Sequence, residues 1–209
     1  MSLRQKKQRQ QRAEIIENAV ALFRLHGVQD VRTADIAHRC EISEATFFNY
    51  FASQNALLRE WASDFLELEL SRISTRTAEG GTLRRAIRST SDDLAQLVTQ
   101  DLPLQTAAWS RVCAGYPDPA FVGARGREED RDSALTLILR AQERGECRSD
   151  VEASHLASLL RGVMASTLAS WLATPTKDRP FTLQENLVQA CDLLLDGFRK
   201  RNERVAGTG

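Results

Sequence analysis

The side chains best suited to catalysis or metal binding are scattered through this 209-residue sequence. His26, His38 and His155 stand apart from one another, and an isolated histidine is more often structural than catalytic. Cys40, Cys113, Cys147 and Cys191 form no C-x-x-C pair and read as reduced, mostly buried thiols of a cytosolic protein. There is no glycine-rich phosphate loop, no H-E-x-x-H and no G-x-S-x-G. An enzyme is therefore not expected: no catalytic residue, no metal ligand and no cofactor is assigned. The polar groups that do fall into a pattern lie in residues 33–51, TADIAHRCEISEATFFNYF. Hydroxyls and an amide on short helices offer hydrogen bonding rather than reaction.

Two short helices must position those groups. Thr33 suits an N-cap, and Asp35 falls in a first turn, where an anion meets the helix dipole. Ile36, Ala37 and Cys40 share one face; Glu41-Ile42 breaks the pattern. Ser43 then caps a second helix, Glu44 to about Tyr50, with Phe47 and Phe51 inward. Ile42 plugs the gap between the helices, and Ala37 is small where they approach. This is the layout of a helix-turn-helix, whose second helix enters the DNA major groove. A helical hairpin inside an ordinary bundle has the same two amphipathic helices, and this segment alone leaves that alternative open.

Basic and acidic residues number 28 each, so net charge does not advertise a polyanionic partner. Their distribution says more. Residues 1–12 carry Arg4, Lys6, Lys7, Arg9 and Arg12 with no acid. This arm is either a solvated tail or a segment lying along phosphates or in a minor groove. No apolar signal-peptide core follows it, so a cytoplasmic protein is expected.

Further along, the periodicity places helices throughout, with a core large enough for one or two domains. The first runs from near Arg9 to Gly27, with Ile16, Ala19, Val20 and Phe23 inward. Ser53 caps a long fourth helix with Leu57, Trp61, Phe65 and Leu68 on its inner stripe, ending at Gly80-Gly81. Thr82 caps a fifth, to about Gln100. Pro103 opens a sixth that carries Trp109 and Cys113 and stops at residues 116–119. A seventh begins around Asp118-Pro119, passes the polar run Arg125 to Asp132, and resumes as SALTLILRAQERG. Asp150 caps an eighth, Val151 to about Thr174, and Thr182-x-x-Glu185 is a capping box for a ninth, to about Arg201. Nothing alternates like a strand, so the fold is all-α with about nine helices. The eighth helix is apolar nearly all round, yet Arg161, His155 and its Ser and Thr residues make it too polar to span a membrane. Such a helix is buried on two sides, and a partner chain could supply one of them.

The order TADIA, then IS-x-AT-FF-NYF, then S-x-x-ALL from Ser53, over about residues 12–58, resembles the DNA-binding segment of TetR-type transcriptional repressors. The resemblance implies an N-terminal helix-turn-helix domain, 1–56, and a helical ligand-binding and dimerisation domain, 57–209. It implies a homodimer on double-stranded DNA, reading a palindromic operator and released by a small hydrophobic effector. Matched residue by residue, it turns Ala45, Thr46, Asn49 and Tyr50 towards the groove. Thr46 would bond an acceptor or touch a thymine methyl, and Asn49 would pair with adenine. Tyr50, Thr33 and Ser43 would reach phosphates. The sequence departs from the family at four of its positions. Phe48 replaces a tyrosine, Gln54 a lysine, Glu44 a lysine or glycine, and Glu41 a glycine of the turn, where left-handed backbone would be strained. Arg32, Arg39 and the arm, with Arg9, would compensate.

In the family the middle helices enclose the effector. Trp61, Phe65, Leu97, Trp109, Cys113, Leu139, Met164 and Leu168 are the apolar candidates here and Arg111 the polar one, although residue by residue plain core is the stronger reading, since a binding cavity is mostly apolar too. The last two helices would form the dimer seam through Leu156, Leu160, Val163, Thr167, Trp171, Leu187, Leu194 and Phe198. The competing reading is a helical small-molecule-binding or adaptor protein without sequence-specific DNA binding.

Overall fold

Nine α-helices and no strand make up the residues described by the computed structural model, which are 2–114 and 133–198, with only the backbone at 113 and 114. They are α1 (Leu3–His26), α2 (Thr33–Arg39), α3 (Glu44–Tyr50), α4 (Gln54–Ala78) and α5 (Leu83–Gln100). Then come α6 (Leu102–Ala114), α7 (Ser133–Glu143), α8 (Ala153–Ala173) and α9 (Leu183–Phe198). The expected stop at residues 116–119, the helix start at Asp118-Pro119, the polar run Arg125 to Asp132 and the tail after Phe198 lie outside the described residues.

Local capping explains several boundaries, and three differ from expectation. α1 starts well before Arg9 because Ser2 and Gln5 form a capping box: Ser2 Oγ accepts from Gln5 N–H at 3.2 Å and Gln5 Oε1 from Ser2 N–H at 2.7 Å. The basic arm is therefore the first turns of a helix rather than a tail. Arg32, not Thr33, is the N-cap of α2, with its backbone N–H given to Asp35 Oδ2 at 2.7 Å. α2 ends in two crossed bonds, Glu41 N–H to His38 C=O and Ile42 N–H to Ala37 C=O, which place Glu41 at φ 54°. Glu152, not Asp150, is the N-cap of α8, and Asp150 accepts from Arg148 Nε at 2.7 Å. The Thr182–Glu185 box of α9 forms as expected, at 2.8 and 3.2 Å.

The chain packs as two compact units, Met1–Phe65 with Gln96–Asp118 and Leu66–Ala95 with Pro119–Gly209. In the first, Ile15, Ala19, Ile36, Phe47, Phe51 and Leu57 are buried to 2% exposure or less. Ion pairs and hydrogen bonds brace it: Arg24 Nε to Asp101 Oδ2 at 2.7 Å, Arg111 Nε to Asn55 Oδ1 at 2.6 Å, and Arg39 Nε to Asn18 Oδ1 at 3.1 Å. In the second, α8 packs against both α7 and α9 and buries Leu156, Leu160, Met164, Leu168 and Leu172. Arg84 on α5 grips Asp192 and Asp196 of α9, each at 2.5 Å. Among the described residues α8 alone is long and apolar enough to cross a membrane, and here it is a core helix.

The inner stripe of α4 differs from expectation. Leu58, Ala62, Leu66, Glu69, Ile73 and Thr77 are buried, whereas Leu68 is 53% exposed and Trp61 and Phe65 are half-buried. Polar Glu69 and Thr77 interrupt the true stripe, so apolar spacing picks out the neighbouring one.

Candidate DNA-reading surface

Seven residues make α3, too few for a helix to persist in water without tertiary support. Ser43 Oγ accepts from Thr46 N–H at 3.0 Å and closes its N-terminus. Phe47 and Phe51, 0% and 1% exposed with ring centroids 5.8 Å apart, nail its inner side to the core. Ser43, Glu44, Ala45, Phe48 and Asn49 are left exposed on the outer side, with Thr46 and Tyr50 half-buried at its margins. Phe48 meets Phe47 edge-on at 5.5 Å while half of its own surface faces solvent. Short polar side chains on the exposed side of a two-turn helix are of a size to enter a major groove.

The flanking groups are partly occupied. Thr33 Oγ1 donates to Glu44 Oε2 at 3.3 Å, which ties down the acid nearest the reading surface. The hydroxyls of Ser43 and Thr46 stand 2.8 Å apart, so one hydrogen-bonding capacity of Thr46 is used within the cap. Gln54 turns inward: its Nε2 donates to Val31 C=O at 3.0 Å and Val28 C=O at 3.4 Å, closing the loop before α2. Arg32 is exposed beside α2, and Arg4, Lys6, Lys7 and Arg9 are exposed along the first turns of α1.

Arg12 is the residue that sequence reasoning placed wrongly, as a member of the arm. Its Nε donates to Glu60 Oε1 at 2.6 Å, its NH2 pairs with Glu60 Oε2, its NH1 donates to Tyr50 C=O, and its guanidinium lies 4.1 Å from the Phe51 ring centre. All three partners are distant in sequence, so no local pattern signalled the contact.

A cleft of about 490 Å³ opens beside α1 and α2, lined by Leu22, His26, Asp30, Val31, Asp35, His38 and Arg39. None of the expected pocket residues lines it. No group of three or more His, Cys, Asp or Glu among the described residues is arranged to hold a metal.

With the geometry of the helix-turn-helix in place, comparison with known proteins decides its kinship. The family profile of bacterial regulatory proteins, tetR family, matches residues 15–61, which run from α1 into α4. The solved structure of FadR from Thermus thermophilus, a TetR-family repressor in complex with lauroyl-CoA, is 26% identical with a TM-score of 0.69, over 94% of this chain and all of that one. The chain belongs to the TetR family. Relatives of this TetR-family regulator include the transcriptional regulator LuxR of Vibrio harveyi, 28% identical over 73% of this chain and 75% of the other. The nicotine-responsive repressor HdnoR of Paenarthrobacter nicotinovorans is 24% identical over 86% and 92%. These relatives are transcription regulators rather than enzymes, and this chain is likewise a DNA-binding transcriptional regulator.

The remaining site residues of the TetR-family chain fall as follows. The rings of Trp61 and Phe65 meet tilted at 33° with centroids 6.0 Å apart, Leu97 is half-buried, and Trp109 is buried with its indole N–H on Gln105 Oε1 at 3.1 Å. Arg111 is spent on Asn55 Oδ1 and on Ala107 C=O, and the Cys113 side chain lies outside the described residues. These six belong to the first unit; Leu139, exposed, and Met164 and Leu168, buried, belong to the second. Of the expected seam, Leu156, Leu160, Trp171, Leu187 and Phe198 are consumed by the protomer's own core, and Val163, Thr167 and Leu194 are half-buried. The large exposed apolar side chains on α8 and α9 are instead Leu159, at 41%, and Leu193, at 70%. Trp171 gives its indole N–H to Phe181 C=O and carries Arg179 over its ring.

Proposed function

We propose that this regulator is a cytoplasmic homodimer that represses transcription by holding a palindromic operator, and that a small hydrophobic effector bound in its C-terminal half releases it. The observation that supports DNA reading most is α3 itself, a short helix fixed by Phe47 and Phe51 with Ala45, Phe48 and Asn49 presented outward. Thr46 and Asn49 take the base edges, and Ser43, Tyr50 and the basic start of α1 take phosphates. A single two-turn helix reaches few base pairs, so two copies on a two-fold axis read half-sites about one helical turn apart or a multiple of it.

Dimerisation uses the outward faces of α8 and α9, around Leu159 and Leu193, rather than the residues buried in the protomer. The effector site draws on the buried residues of the second unit, where Arg161, Met164 and Leu168 share one side of α8. The similar FadR binds an acyl-CoA and HdnoR answers to nicotine, so kinship supports a ligand without fixing its chemistry. The test is selection of bound sequences from random DNA, followed by gel shift at two salt concentrations. A two-fold-symmetric site, bound in preference to random duplex, is the expected result. Binding indifferent to sequence, or none at low salt, would return the chain to the class of helical binding modules.

A further inference from the structure

We propose that Arg12 is a positioning residue for DNA recognition: clamped by Glu60 of α4, it fixes the C-terminal end of the recognition helix α3. This rests on the reading of α3 as the DNA reader. One guanidinium serves three elements. It belongs to α1, bonds both carboxylate oxygens of Glu60, donates to the Tyr50 carbonyl at the end of α3, and lies over the ring of Phe51, the C-cap of that helix.

Each contact has a physical use. The carbonyls of a final helical turn lack intrahelical partners and carry the negative end of the dipole, so a cation there both satisfies and stabilises them. Arginine alone presents a planar fork that can hold a carboxylate through two bonds while stacking on an aromatic ring; lysine cannot. Ser43 fixes the other end of α3 and Phe47 fixes its middle, so Arg12 is the third point that sets the tilt of Asn49 and Tyr50. Because Glu60 lies on α4, the same helix that continues to Ala78, a shift of α4 moves the clamp and the reading helix together.

The clamp and a simple phosphate contact predict opposite signs for one variant. Removing an acid from a protein that binds a polyanion strengthens binding by electrostatics alone. If Glu60 holds the clamp, Glu60→Ala weakens it. We therefore expect Arg12→Gln and Glu60→Ala, each checked for native far-UV circular dichroism, to lose about tenfold in affinity for the site selected by the wild type. Affinity for random duplex should stay within about twofold and the salt slope unchanged, because the same phosphates are neutralised. Amide exchange over residues 47–51 in the DNA-free proteins should quicken in both variants. Tighter binding by Glu60→Ala, unaltered exchange at 47–51, or a salt slope reduced by nearly one unit in Arg12→Gln overturns the proposal. If the wild type selects no sequence, the DNA-reading assignment falls, and the exchange measurement still decides the clamp.

Discussion

Glu41 occupies a backbone position that favours glycine. Its φ of 54° lies in the left-handed region, where a side chain costs about 1 kcal/mol or more. The two crossed bonds that end α2 force this conformation, so the strain is set by the turn and not by Glu41's own contacts. Glu41→Gly should therefore stabilise the protein by about 1 kcal/mol, seen as a melting temperature higher by about 2–4 °C. An unchanged or lower melting temperature would mean that the turn relaxes at no cost. Glu69 presents the reverse situation: a 0% exposed carboxylate whose oxygens accept no hydrogen bond, although Arg72 NH1 stands 3.1 Å from Oε1. Burial pushes its carboxyl above the ordinary value near 4.5, against the pull of Arg72. A folded-state value raised above the unfolded one makes the protonated form the better fit. Its contribution is then full below about pH 4.5 and is lost as pH climbs through the folded value. Glu69→Gln should accordingly raise the melting temperature by a few degrees at pH 8, where the wild type carries the buried charge, with the gain shrinking towards pH 4.5. A gain that does not change between these pH values would show that the carboxyl is equally ionised folded and unfolded.

At the scale of the element, α1 joins two tasks in one helix. Its later turns, from Ile15 to Phe23, are core, while its first turns carry Arg4, Lys6, Lys7 and Arg9 exposed on a rigid rod capped by Ser2. A helix holds those cations in fixed register, which a solvated tail would not. Deleting residues 2–9 should weaken DNA binding and flatten its salt dependence by about 0.9 for each phosphate left without its cation, measured as the slope of log affinity against log salt. An undiminished slope would remove these residues from the interface. How far such elements can be read in advance follows from where their determinants lie. The α2–α3 hairpin, the strain at Glu41 and the box of α9 were legible because each is fixed within a few residues. The box that starts α1 is equally local, Ser2 with Gln5, yet the basic composition around it masks it as a tail. The stripe of α4 was not legible, since Glu69 and Thr77 lie on the buried side and apolar spacing alone cannot admit them. Arg12 was beyond reach for the same reason that makes it useful: its partners come from α3 and α4, far along the chain.

For the whole molecule the deciding question is what covers α8 and α9. His155, Leu159, Gly162, Ser166, Ser170 and Ala173 recur every three or four residues along the exposed side of α8, and on α9 Leu193 and Gly197 are exposed. Nothing lies within 4 Å of where a Cβ would stand at Gly162 or Gly197, so the protomer itself has no need of glycine at either position. A helix-interior glycine costs roughly 0.5–1 kcal/mol relative to alanine. That cost has a use if a second helix must approach closely, and a second copy brings two such faces together about one axis. Ser166→Trp and Leu193→Asp, both at exposed sites, should leave circular dichroism native yet yield monomers by light scattering. Each monomer then meets DNA with one reading helix. Coupled half-sites contribute avidity of about 10²–10⁴. The variants should therefore bind a full palindrome no better than a half-site, while their half-site affinity equals that of the wild type. Variants that remain dimeric would move the interface elsewhere, whereas monomers that keep full palindrome affinity would separate dimerisation from operator recognition.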